Sequence, residues 1–302
     1  MIVYSKILNN YSDIYLIKLL RKNKFFWDYK FFFDQLSKRD ILVLVKSLIF
    51  RNKKVVFVNL EGVSHSLFYK RPFTLADFVF GYQKGKKNIY WNGFFDEVAK
   101  NNHVDQKFKN KPINNLINEI CFISCNTTKI KFIQTKYPDL YKELDIYGNY
   151  HKPIEKIANQ FESSIKTGNN LDRSYNSLSV TSRYMASLCA ENNLEEGYAQ
   201  CSALWSLRAL TPVILITQKC RKNFIRPEFY IDLDDYLRMT QVQKLNAINK
   251  VQERLCSGES YLTNLTKDYI EFFNDSFSSN IEPDIKKIVH QSEAFREKFL
   301  LI

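Results

Sequence analysis

Histidine is scarce, with four in 302 residues, and no zinc-ligand pattern accompanies it. The spacing Cys121-x3-Cys125 has no matching second pair, which argues against a metal centre. The six cysteines (Cys121, Cys125, Cys189, Cys201, Cys220, Cys256) fall mostly in apolar segments. They are expected to be reduced, buried thiols of a cytosolic protein. No run approaches the roughly 18–20 apolar residues of a membrane span. The opening MIVYSKILNNYSD lacks the continuous apolar stretch of a secretory signal. The expected location is therefore the cytoplasm or, peripherally, the inner face of a membrane. No internal repeat is visible. Basic residues form no single block, so nucleic acid is not an expected partner.

What is present is a globular composition, 45% hydrophobic and 15% aromatic, with a formal net charge of +12. Such a balance favours anionic partners, and nucleic acid, an acidic membrane surface and a nucleotide-sugar phosphate are all compatible with it. The length exceeds what one core usually covers and predicts two domains.

Residues 1–50 carry Leu16, Ile17, Leu19 and Leu20 at helical spacing beside Lys18, Arg21 and Lys22. They are either core-facing helices or a basic amphipathic surface on anionic lipid. A strand is expected at 53–58, then a polar turn with Glu61 and His65, then a second strand at 76–82. Residues 83–118 read as loops, with a helix starting near Asn114 and a linker between about 105 and 120. A strand at 120–124 precedes Asn126, Lys129 and Lys131, and a helix over 132–144 leads to the Asp145-Ile146-Tyr147-Gly148 turn.

The densest signal is YMASLCAENNLEEGYAQCSALWSLRALTPVILI, residues 184–216. An apolar strand ending at Ala190, a polar loop (Glu191–Gly197), a helix over 198–210 and a strand after Pro212 make a βαβ unit. The loop lies where open parallel sheets bind ligands, and the following helix start suits a phosphate. An ordinary βα turn is the bland alternative.

Those residues resemble the donor-binding core of the family 10 glycosyltransferases, the α1,3-fucosyltransferases. Tyr184, Glu191, Asn192, Gly197 and Tyr198 fall in register with that family's pattern, and Pro212 matches after a one-residue gap. The family's Thr-Glu-Lys trio is replaced by Gln200-Cys201-Ser202, and the Lys after the first Tyr is Met185. The resemblance implies a donor site with Asn126, Lys129, Lys131, Gly148, Arg183, Tyr184, Glu191, Asn192, Gly197 and Tyr198. Arg183 is the candidate to supply the phosphate charge the lost Lys leaves out. Glu61 is the nearest match to the acceptor-side general base, with His65 as the weaker alternative.

The fold so implied is α/β and GT-B-like: two Rossmann-like domains facing across a cleft, with C-terminal helices. Its expected boundaries are 1–112 on the acceptor side, 113–233 for the donor and 234–302 for helices packing on both. The expected chemistry is inverting transfer of fucose or a related sugar from a GDP-sugar to a glycan or lipopolysaccharide acceptor. No cofactor beyond that donor is expected. The alternatives are an inactive binding protein on the same fold, or a basic membrane- or nucleic-acid-associated α/β protein.

Overall fold

The computed structural model describes residues 2–6, 15–23, 30–32, 55–59, 77–100, 117–124, 127–147, 178–190, 202–216, 223–278 and 282–301. In chain order the elements begin with β1 (Ile2–Lys6), α1 (Tyr15–Lys22), β2 (Lys30–Phe32) and β3 (Val55–Asn59). Next come β4 (Phe78–Gly81), β5 (Asn88–Tyr90) and α2 (Gly93–Lys100). The second half brings β6 (Ile117–Ile123), α3 (Thr127–Lys136), α4 (Pro138–Lys142), β7 (Leu144–Tyr147) and β8 (Tyr184–Cys189). It continues with α5 (Ser202–Arg208), β9 (Val213–Leu215), β10 (Tyr230–Asp232), α6 (Leu233–Arg238) and α7 (Gln241–Cys256). The chain ends with α8 (Asn264–Ser278) and α9 (Ile285–Leu300).

Two parallel sheets result, as expected for an α/β chain of two Rossmann-like units with C-terminal helices. The first runs β2-β1-β3-β4-β5 and the second β7-β6-β8-β9-β10. Counted from its own first strand, each sheet therefore has the order 2-1-3-4-5. That order reverses direction between its first and third strands, which places the switch point at β1/β3 and at β6/β8. Strands buried on both faces read as continuous apolar runs, and Phe78–Gly81 and Val213–Leu215 are buried throughout.

Helix α1 turns Leu16, Ile17, Leu19 and Leu20 inward and leaves Lys18, Arg21 and Lys22 exposed. The core-facing alternative thus holds for this segment. The first turn of α1 contains no acidic residue of its own. The Asp96 carboxylate of α2 caps it instead, accepting from the Tyr15 N–H at 3.1 Å and the Leu16 N–H at 2.9 Å.

Three expectations are corrected. Within the stretch read as loops stand β5 and α2; Asn92 starts α2 by accepting from the Phe94 and Phe95 N–H groups. In place of a helix from Asn114, β6 begins at Ile117. The helix expected over 132–144 is broken into α3 and α4, because Pro138 has no N–H to continue α3 and opens a new helix.

The C-terminal helices tie the two halves together. Helix α7 starts in a Thr240/Gln243 capping box and buries Ile248, Val251 and Leu255 near β10. Helices α8 and α9 reach the first sheet: Ser292 accepts from the Tyr90 N–H, the Tyr269 hydroxyl donates to the Tyr90 carbonyl, and Asn23 donates to the Phe277 carbonyl. Among the described residues no helix is long and apolar enough to cross a membrane. Cys121 and Cys189 are buried as expected, whereas Cys256 is exposed at the end of α7.

Candidate functional site

The switch point of the second sheet is built from β6 and β8, paired in parallel with Ile120 opposite Ala186 and Cys121 opposite Ser187. Their carboxyl ends are buried: Ser124 follows β6, and Cys189 leads into Ala190. Ser124 donates its N–H to the Tyr147 carbonyl at 2.9 Å, and Ile216 donates to the Cys189 carbonyl at 3.2 Å. Four strand ends are thereby held level on one edge of the sheet.

Helix α3 starts three residues after Ser124, so its free N–H groups belong to the same edge. Lys129 is the third residue of α3 and half-buried, whereas Lys131 is exposed. Two residues apart on a helix means about 200° around its axis, so the two lysines cannot serve one phosphate together. Lys129, in the first turn, has the position suited to an anion.

Arg183 and Tyr184 lie at the other end of β8. From Tyr184 to Cys189 is five residues of strand, roughly 16 Å at the usual rise. The two are thus not brought together with Lys129. The Tyr184 phenol is buried and donates to Asp145 of β7 while touching the Tyr147 hydroxyl. Tyr147 also reaches the same Asp145 oxygen at 3.1 Å. One proton from each phenol satisfies the group: Tyr184 gives its own to the carboxylate, and Tyr147 gives to Asp145 or to the Tyr184 oxygen. Burial lowers the pKa of the neighbouring Arg183 and is the first cause that raises both tyrosines. Asp145, the second residue of β7, thus ties that strand to Tyr184 of β8. It emerges as a positioning group that the sequence marked only as part of a turn.

In the sequence Glu61 comes two positions after Asn59, the last residue of β3. Glu61, His65, Asn126, Gly148, Glu191, Asn192, Gly197 and Tyr198 themselves lie outside the described residues. Met185, which stands where the family keeps a Lys, lines a cavity of about 480 Å³ near the amino ends of β6 and β8. Lys244 borders it, 4.6 Å above the Tyr236 ring and 4.0 Å from Glu143. Among the described residues, no three His, Cys, Asp or Glu side chains gather to hold a metal ion.

Buried phenols give the fold an alkaline limit. Burial chiefly pushes Tyr147, Tyr236 and Tyr261 from the ordinary 10.0 up to about 12. Between these values the unfolded chain has released protons that the folded chain still holds, so stability falls as pH rises. Urea midpoints are expected to be steady below pH 10.0 and to decline steadily towards about 12. Tyr147→Phe should shallow the decline; a midpoint flat through that window contradicts the assignment.

No protein-family model matches the chain, and no curated protein does. Among solved structures, an α1,3-fucosyltransferase is similar over 99% of this chain and 90% of its own, at 13% identity and a TM-score of 0.45. The pneumococcal O-GlcNAc transferase GtfA in complex with UDP and GlcNAc is similar over 94% of this chain and 59% of its own, at 14% identity and a TM-score of 0.36. Anabaena HepE in complex with UDP-glucose is similar over 99% of this chain and 100% of its own, at 10% identity and a TM-score of 0.38.

Proposed function

We propose that the chain is a glycosyltransferase whose nucleotide-sugar donor binds at the carboxyl edge of β6 and β8. The observation that carries this reading is a coincidence of two independent signals. Strand order alone puts a ligand crevice at β6/β8. The segments that follow those two strands, Asn126–Lys131 and Glu191–Tyr198, are the ones that resemble a fucosyltransferase donor site. The division at residues 112 and 233 and a cytoplasmic or membrane-peripheral location belong to the same proposal.

In this reading the donor is a GDP-sugar, GDP-fucose first. Its diphosphate sits against the first turn of α3 and beside Lys129, which together balance the charge that grows on the leaving group. The acceptor is a glycan or glycolipid hydroxyl. Glu61, beyond β3, takes that proton as the oxygen attacks the anomeric carbon, and the carbon–diphosphate bond breaks on the opposite side with inversion. Arg183 and Tyr184 act from further back: with Asp145 they fix β7 and β8.

A second reading rests on Met185 and on Gln200-Cys201-Ser202, which replace the family's charged residues. It keeps donor binding and gives up transfer. A thermal-shift series with nucleotide sugars followed by a GDP-release assay separates the two. GDP-fucose at a hundredfold excess over its dissociation constant should stabilise the fold by about 2.7 kcal/mol. Lys129→Ala should weaken that binding about tenfold and Lys131→Ala within about twofold, because only the first sits in the helix's first turn. Stabilisation without GDP release selects the binding protein, and no stabilisation by any nucleotide sugar removes both.

A further inference from the structure

A second cavity, of about 650 Å³, lies on the first sheet between the β4–β5 turn and the start of α9. We propose that it docks the phosphate-bearing headgroup of an anionic membrane lipid. Its rim carries Lys84, Lys86, Lys87 and Lys286 against two carboxylates, Asp77 and Glu293. Lys84 is held by Glu297 at 2.7 Å, with Glu293 at 3.7 Å. Among the described residues Lys86 and Lys286 form no ion pair, and both side chains are exposed. The floor is apolar, from Phe78, Ile285 and Val289. A cationic rim over an apolar floor complements a phosphate with a glycerol and acyl stem, as in a bilayer surface.

Both walls are built, not draped. Parallel strands normally need a dozen or more residues between them, yet only Tyr82–Lys87 joins β4 to β5. The turn is closed by the Asn88 side chain, which donates to the Gln83 carbonyl at 2.9 Å, and by the Asn88 N–H, which donates to Gly85 at 2.9 Å. A Cβ on Gly85 would come to 3.0 Å of the Asn88 side chain, so a larger residue there would push on the side chain that closes the turn. The opposite wall is pinned because the Arg296 Nε–H, itself buried, donates to the Tyr82 carbonyl at 2.9 Å.

The chemistry speaks against single-stranded nucleic acid as the occupant. That ligand needs exposed aromatic faces for its bases. Among the described lining residues the rings are Phe78, which is 3% exposed and cannot stack on a base, and the exposed His290 imidazole, a single face where a run of bases needs several. The position also separates this site from the proposed reaction. Asp77 and Lys87 precede β4 and β5, so the cavity sits at the amino edge of the sheet, while Glu61 follows a carboxyl end. A membrane held here would tether the enzyme without covering that edge.

Co-sedimentation of the full chain with vesicles tests it. Binding is expected to phosphatidylglycerol vesicles and not to phosphatidylcholine ones. The pair Lys86→Glu and Lys286→Glu should weaken it by more than about 25-fold, since loss of each lysine near a charged bilayer costs about fivefold and each new carboxylate is repelled. Lys250→Glu with Lys267→Glu, the same charge change on exposed residues of α7 and α8, should leave binding within about twofold. If the first pair fails to fold, Lys86→Gln with Lys286→Gln should still weaken binding on the order of 25-fold. Equal loss in both pairs, absence of vesicle binding, full release by soluble glycerol phosphate, or displacement by single-stranded RNA would each overturn the proposal. Nucleotide-sugar binding is unaffected by any of these results and is read separately.

Discussion

Arg208→Ala is expected to destabilise the fold by about 3–5 kcal/mol, because it strands a buried carboxylate. Arg208 ends α5, next to the second sheet, and Glu97 lies in α2, next to the first. Their Nη1–Oε1 distance is 2.7 Å and both side chains are about nine-tenths buried. Lys100 stands 3.9 Å from the other Glu97 oxygen, an ion-pair distance too long for a direct hydrogen bond. The pair is thus a charged rivet between the two α/β units. Its net worth is another matter. The Arg208 Nε–H has no hydrogen-bond partner among the described residues, so part of the desolvation cost is never returned. Replacing both ends, as Arg208→Met with Glu97→Leu, should therefore recover most of the loss. Urea denaturation of the two singles and the double reads this directly. A double no more stable than either single would show that the ion pair is itself net stabilising and would contradict the unreturned desolvation cost.

Trp91→Ala should cost a similar amount, about 3–5 kcal/mol, as a large void in the aromatic core. Trp91 is 0% exposed, stacks on Phe273 with ring centroids 4.0 Å apart, and touches Phe95 and Tyr269. That cluster seats α8 on the first sheet. The indole N–H has no partner among the described residues, so a hydrocarbon ring gives up little polar bonding. Trp91→Phe is expected to keep most of the stability, within about 1.5 kcal/mol. If the alanine and phenylalanine variants fall equally, an unseen bond to the indole nitrogen carries the site, and cavity formation does not.

The sequence makes the strong strands legible because each is a run of β-branched or aromatic residues bounded by polar turns. Val55–Asn59, Phe78–Gly81 and Val213–Leu215 are found within a residue or two of their expected limits. Short β5 and the helix α2 escape because three residues carry no periodicity. Tyr90, Trp91, Phe94 and Phe95 instead form one aromatic run spanning both elements. The shared 2-1-3-4-5 order of the sheets leaves no repeat in the sequence, since order follows from crossovers and not from side-chain identity. The Arg208–Glu97 pair is equally invisible: 111 positions separate its members. At the donor edge, helix spacing distinguishes Lys129 from Lys131 only once the first residue of α3 is known. Tyr184 and Arg183 lie next to the key loop in sequence, yet a six-residue strand carries the chain away from them before that loop begins.

A nucleotide sugar resting on the proposed carboxyl edge of β6 and β8 is tested most directly by amide hydrogen exchange with and without GDP-fucose. Protection is expected in peptides covering Ser124–Lys131 and Cys189–Tyr198, with the amino-edge residues Lys142–Leu144 and the lysine turn at Lys84–Lys87 unchanged. Protection confined to the amino edges, or none at saturating ligand, would contradict it.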